Sequence, residues 1–194
     1  MGAMQQIAVE IAFGRGLRLA LVGMPAAGKG TLAEALLPAC IHTEGGAVEE
    51  VAGSDLVLFV HTLERPALLP AEQAVLRRLA EGLDADPSRL AVVGTHADGP
   101  NESVAAAHVA LAGIIAGLWG ERVPVFATVA PLWILSRREA AEGRTTAARC
   151  FRLSSGLSPL VRLVEDKRRG LSPGLVEKAA RGSLYEGSTA LASD

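Results

Sequence analysis

The chain has 194 residues, 49% of them hydrophobic and only 4% aromatic, with a formal net charge of -2. That length suits one domain with a substantial core, and an interior rich in Ala, Val and Leu fits an α/β fold. Two cysteines, Cys40 and Cys150, are too few and too far apart for a disulfide framework, which points to a reduced, cytoplasmic setting.

Ile7, Val9, Ile11 and Phe13 alternate with Ala8, Glu10 and Ala12, a period-two pattern that predicts a strand. Gly14-Arg15-Gly16 separates it from an apolar run at 17–23, so the two read as an antiparallel hairpin. The second strand runs into Gly23-Met24-Pro25-Ala26-Ala27-Gly28-Lys29-Gly30-Thr31, which has the G-x-x-x-x-G-K spacing of a phosphate-binding loop. Glycines let successive backbone N–H groups converge on phosphate oxygens, the helix that follows aims its positive dipole end at them, and Lys29 adds a point charge. Each such charge-assisted contact is worth about 1.5–3 kcal/mol. The Lys29 ammonium is expected to face ligand and solvent rather than the core. The competing reading is a chance Gly-rich turn. Directly after the lysine, where many P-loop proteins carry a hydroxyl that coordinates Mg²⁺, stands Gly30; Thr31 carries the only hydroxyl nearby.

The next helix should run from about Lys29 to Leu37 and stop at Pro38. Cys40 and His42 form a lone C-x-H, far short of a metal site. Short apolar runs at Leu56–Val60, Leu90–Val93 and Val123–Ala127 predict buried strands, with helices at about 70–82 and 103–119 between them and a turn at 84–89. Strands alternating with helices give a mostly parallel, three-layer sheet with right-handed crossovers and the N-terminal strand added antiparallel. The run Val104 to Leu118 is too short to span a membrane comfortably and contains His108, so it reads as a helix packed on the sheet. Within it, Gly113-Ile-Ile-Ala-Gly117 has a small-xxx-small spacing that permits close helix approach.

Residues 133–152 and 157–169 are helical by composition, broken by Gly143, Gly156 and Pro159. The domain therefore covers 1–169, and 170–194 reads as a partly disordered tail. Charge is divided unevenly: residues 1–136 hold 8 Lys/Arg against 14 Asp/Glu, and residues 137–181 hold 11 against 5. That basic face either meets an acidic partner, anionic lipid or nucleic acid, or is a solvated helix surface. No aromatic residues interleave with the charges in a base-stacking pattern, which argues against nucleic acid. No signal-peptide pattern is visible, and Gln6 stands where N-myristoylation needs Ser or Thr.

A second motif follows the strand Leu90-Ala-Val-Val-Gly94. Thr95-His96-Ala97-Asp98 resembles the guanine-specificity motif N-K-x-D or T-K-x-D. A carboxylate at Asp98 accepts hydrogen bonds from the guanine ring N–H and exocyclic amine, a donor pair adenine lacks. The alternative is that Asp98 only caps the turn before Pro100. With the phosphate loop, this motif makes residues 17–169 similar to the Ras-like small GTPases, especially the Era-like bacterial branch. The resemblance implies GTP or GDP as ligand, with Gly23 to Thr31 on the phosphates and Thr95, His96 and Asp98 on the base. It also implies that Ser54–Val60 is the central strand, followed by Thr62-Leu-Glu-Arg-Pro66 and a helix with Glu72 and Arg77-Arg78. Ala127-Thr128-Val129-Ala130 then stand where the family touches the guanine oxygen through backbone N–H.

The departures are equally specific. Only 23 residues separate Thr31 from Asp55, too few for switch I, a hairpin and D-x-x-G. Ile41-His42-Thr43-Glu44-Gly45 is either a remnant of D-x-x-G or only a loop. The hydroxyl after the lysine, the aspartate that positions Mg²⁺ and a switch I threonine are all missing. The expectation is a reduced, pseudo-GTPase-like protein that binds guanine nucleotide, with Mg²⁺ possible but weakly held and no protein metal site or catalytic residue assigned. Such a protein would work as a regulatory or assembly factor through a protein partner or a second copy. Two rivals stand beside it: an ATP-dependent small-molecule kinase, because G-x-P-x-x-G-K-G-T resembles the adenylate-kinase loop, and an interaction module with an empty site.

Overall fold

The computed structural model describes residues 9–12, 17–36, 43–44, 51, 53–65, 67–119 and 123–170. In chain order the elements are β1 (Val9–Ala12), β2 (Arg18–Gly23), α1 (Lys29–Leu36), β3 (Thr43–Glu44), β4 (Leu56–Thr62), α2 (Pro70–Gly82), β5 (Leu90–Thr95), α3 (Asn101–Trp119), β6 (Val125–Ala127), α4 (Ala130–Ala141), α5 (Thr145–Ser154) and α6 (Ser158–Arg168). Four strands form an all-parallel sheet in the order β2-β4-β5-β6, with Gly23 opposite Val60, Thr62 opposite Thr95 and Gly94 opposite Ala127. On the other side of β2, β1 runs antiparallel with Val9 opposite Leu21 and Ala12 opposite Arg18, and β3 pairs outside β1.

The continuous apolar runs are explained by burial on both sheet faces, as parallel strands under helices require. Alternate residues separate cleanly. Leu19, Leu21, Leu56, Leu58, Val60, Ala91 and Val93 face Leu32 and Ala35 of α1 and Leu160, Leu163 and Val164 of α6. Ala20, Val22, Val57, Phe59, Leu90 and Val92 face Val75, Leu76 and Leu79 of α2 and Ala107, Leu111 and Ile115 of α3. The result is the three-layer α/β fold that the alternation of strands and helices predicts. The C-terminal ends of β2, β4, β5 and β6 emerge along one edge, the edge at which open α/β sheets bind ligands.

Several local expectations need correction. Pro159 does not break a helix: it lies in the first turn of α6, where the missing N–H is unpaired in any case. The break expected at Gly143 is there, at φ 79° between α4 and α5, but α4 begins at Ala130 rather than at 133 and α5 runs from Thr145 to Ser154. The α3 run is longer than expected. At 19 residues it is the one helix among the described residues long and apolar enough, by length and composition, to cross a membrane. It packs on the sheet through Ala107, Leu111 and Ile115, but Gly113 and Gly117 do not join that contact, since a Cβ built on either meets nothing within 4 Å. The expected tail from 171 onward, Cys40, His42 and the helix stop at Pro38 lie outside the described residues.

Candidate functional site

The loop between β2 and α1 is built as its glycines require. Gly23 closes β2 where a Cβ would stand 2.3 Å from the Val60 carbonyl oxygen, so no side chain fits between the two strands there. Ala26 and Gly28 both take positive φ, 61° and 82°, and the Ala27 N–H returns to the Met24 carbonyl at 3.2 Å. At Ala26 an L residue holds a conformation that costs about 1–2 kcal/mol. Pro25 and Ala26 are exposed, whereas Met24 and Ala27 are buried. Helix α1 opens at Lys29, and its Leu32 N–H donates to the Gly28 carbonyl at 2.9 Å; the N–H groups of a helix's first turn have no intrahelical carbonyl to pair with.

Lys29 does not face open solvent as expected. Its side chain is buried, and Nζ donates to the carbonyls of Gly23 at 2.9 Å and Met24 at 2.6 Å. The ammonium therefore ties the beginning of the loop to its end and places a positive charge there.

Thr95 is tied into the protein through its side chain. It is buried at the end of β5, and its hydroxyl donates to the Ala27 carbonyl at 2.8 Å and the His61 carbonyl at 3.2 Å. The Thr95 hydroxyl thus braces the β2–α1 loop at Ala27. His96 follows at φ 56° with an exposed side chain, its Nδ1 4.0 Å from a Glu64 carboxylate oxygen. Asp98 is exposed one turn later.

The loop after β6 is fixed through its backbone. The Thr128 N–H donates to the Gly94 carbonyl at 2.7 Å and its hydroxyl to the same oxygen at 3.2 Å, while the Val129 N–H donates to the Ser155 carbonyl at 2.8 Å. Ala127 ends β6, and Thr128 is fully buried. The N–H groups at 128 and 129 are engaged inside the protein and are not available to a base oxygen.

These elements meet. Gly28 and Thr31 from the phosphate loop, Thr95, His96 and Asp98 from the end of β5, and Val129, Ala130 and Pro131 from the end of β6 line one recess of about 50 Å³. Ordinary small-molecule pockets offer roughly 300–1,000 Å³. The described residues therefore form the floor of a site rather than an enclosure.

Directly after Lys29, Gly30 offers no hydroxyl to a cation, and Thr31 carries the next one along the chain. Thr43 and Glu44 of the suggested D-x-x-G remnant form β3 outside β1, two strand positions from β2, or roughly 9–10 Å from it.

Sequence reasoning missed a second polar feature at the same sheet edge. His61 and Glu72 are both buried, with Nδ1 2.9 Å from Oε1, and the His61 Nε2 lies 2.9 Å from the Arg65 carbonyl. Glu72 Oε2 accepts the Leu69 N–H at 2.7 Å, and Arg65 approaches Oε1 at 3.4 Å. Burial pushes the Glu72 carboxyl upward, but the hydrogen bonds from His61 and Leu69 and the charges of His61 and Arg65 together hold it below its usual value. Half of it shows in the sequence as a histidine, His61, next to the end of an otherwise apolar strand, whereas its pairing with Glu72 does not.

The basic C-terminal third is partly neutralised by its own carboxylates. Arg144 pairs with Glu139 and Glu142, and Arg138 pairs with Glu142 at 3.1 Å. Arg137 donates to the Glu34 carbonyl at 2.8 Å, and the Arg152 guanidinium sits 5.5 Å from the centre of the Trp133 ring. Neither the protein-family models nor the curated proteins compared with the chain give a match.

Proposed function

We propose that the chain binds a nucleotide, a guanine nucleotide by preference, with its phosphates over Gly23–Thr31 and its base beside Asp98. It acts in the cytoplasm as a regulatory or assembly factor, through a protein partner or a second copy, with little or no hydrolysis. One observation carries this reading: Gly28 and Thr31 of a phosphate-type loop share a recess with His96 and Asp98, 65 or more residues away in the chain. Lys29 and the first-turn N–H groups of α1 supply the positive charge phosphates need. The small size of the recess favours one competitor, an interaction module whose nucleotide site stays empty.

Isothermal titration with GTP, GDP and ATP separates the readings. Guanine nucleotides are expected to bind at least about tenfold better than ATP, the margin one charge-assisted carboxylate contact supplies. Asp98→Asn reverses the donor and acceptor demand and shifts preference toward xanthosine nucleotides. Equal affinities for ATP and GTP would remove the guanine assignment, and no binding of either would leave the interaction module.

Mg²⁺ is expected to change guanine-nucleotide affinity less than about tenfold, because a hard cation seeks oxygen ligands that Gly30 does not provide. Gly30 is exposed, and a Cβ built there meets nothing within 4 Å, so Gly30→Ser adds a hydroxyl without a clash. That variant should bind nucleotide with a stronger Mg²⁺ dependence than the native chain. Strong Mg²⁺-dependent hydrolysis by the native chain in a single-turnover assay would contradict this part of the reading.

A further inference from the structure

The outer face of α3 lacks the charge that a helix face in water ordinarily carries. The other helices each expose at least one charged side chain: Glu34 on α1, Arg77 on α2, Arg138 on α4, Arg149 on α5 and Arg162 on α6. From Ser103 to Trp119, α3 holds no Asp, Glu, Lys or Arg. Its one histidine, His108, turns toward the sheet, with Nε2 3.2 Å from the Val125 carbonyl oxygen. Ala107, Leu111 and Ile115 bury one stripe of the helix against the sheet. Ala106, Val109, Gly113 and Gly117 are exposed on the opposite side, and steps of three and four residues keep them in one row.

We propose that this face pairs α3 with the α3 of a second copy, the two helices running antiparallel about a twofold axis. Shape is the first argument. Val109 is the one large apolar side chain that α3 exposes, at 70%. One turn further along the row, Gly113 leaves a gap, since a Cβ built there meets nothing within 4 Å. Antiparallel pairing sets Val109 of each copy over Gly113 of the other, so one knob and one gap fill each other twice, as an isologous interface requires. Charge is the second argument. An uncharged face meets itself without like-charge repulsion, and antiparallel helices bring opposite dipole ends together. A lipid surface fits less well: the sheet already holds the opposite stripe, and the exposed row offers Ala, Gly and one Val, without the basic and bulky apolar side chains that anchor an interfacial helix. A helix of 19 residues is about 28 Å long, and a strip about 10 Å wide along it gives roughly 300 Å² per copy. Stable complexes bury about 800 Å² per partner, so the pair is expected to dissociate in the micromolar range. The pairing rests on the assembly reading above for its role, but it needs no nucleotide to form.

Sedimentation equilibrium of the nucleotide-free native chain over about 1–100 μM is expected to show a monomer–dimer equilibrium. Gly113→Glu puts a carboxylate in the gap, and Val109→Lys exchanges the knob for an ammonium; each alone should weaken the dimer at least about tenfold. Neither should unfold the monomer, because both positions face solvent and Glu and Lys are better helix formers than Gly and Val. The thermal midpoint of each variant is therefore expected to hold or rise. A one-to-one mixture of the two variants should recover a heterodimer, since the antiparallel register sets the new carboxylate of one chain against the new ammonium of the other.

A native chain that stays monomeric at the top of that range overturns the pairing, and so does a dimer that both variants leave unchanged or a mixture that remains monomeric. Flotation with vesicles of phosphatidylcholine and phosphatidylglycerol tests the lipid alternative: binding by the native chain that Gly113→Glu abolishes, with no dimer in solution, overturns the pairing in favour of a membrane. GDP titration separates the pairing from the nucleotide reading. A monomer that binds GDP refutes the pairing alone, whereas a dimer that responds to the variants as expected yet binds no GDP supports the pairing and refutes only the nucleotide reading.

Discussion

Lys29→Ala is expected to weaken nucleotide binding by about 1.5–3 kcal/mol, roughly ten- to a hundredfold or more, and also to destabilise the nucleotide-free protein. The second effect follows from its position. Lys29 is 6% exposed, and its ammonium donates to two backbone carbonyls at the mouth of the loop. Removing it takes charged donors from Gly23 and Met24 in a segment that already holds Ala26 at positive φ. A loss of about 1–3 kcal/mol in stability is the cost of leaving such carbonyls poorly satisfied. Lys29→Met keeps the alkyl stem and removes only the donors, so it separates the hydrogen bonds from the packing. Urea unfolding of both variants without nucleotide gives the first number and titration the second. Native stability in both variants would return Lys29 to a purely ligand-facing role.

Much of this fold was legible because its strands are short apolar runs bounded by Gly, Pro and polar turns. Residues 56–60 and 90–93 were read as buried strands; the structure extends them to Thr62 and Thr95, the polar ends where the site begins. Helix α2 at Pro70–Gly82 was readable from its period and its proline start. The roles of individual site residues were harder to see. Thr95 and Asp98 stand in one motif, yet the first turns inward onto Ala27 and the second outward, and only the register of β5 against β4 decides which. His61 and Glu72 are 11 residues apart on different elements, a distance at which composition carries no pairing signal. Which stripe of α3 meets the sheet is not legible, because an Ala- and Gly-rich helix has little contrast between its faces; Gly113 and Gly117 turn out to be exposed.

Gly156→Ala is expected to destabilise the protein by more than about 3 kcal/mol, as the sum of two separate costs. Gly156 has φ 66°, where an L side chain costs about 1–2 kcal/mol. A Cβ there would also stand 2.2 Å from the Ala127 carbonyl oxygen, a backbone atom that cannot swing aside, and such overpacking adds about 1–3 kcal/mol. Gly143 isolates the first cost. It has φ 79° with nothing within 4 Å of a built Cβ, so Gly143→Ala should lose only about 1–2 kcal/mol. The difference between the two variants in urea unfolding therefore measures the contact itself, and equal losses would show that the backbone near Ala127 yields freely. The contact also bears on the site. Ala127 leads into Thr128 and Val129, which are hydrogen-bonded to Gly94 on one side and Ser155 on the other, and Val129 lines the recess with Pro131. A methyl group wedged at position 156 displaces that wall of the recess. At a temperature where Gly156→Ala remains folded, its nucleotide affinity should fall while that of Gly143→Ala stays native, because the second turn lies between α4 and α5 and does not line the recess.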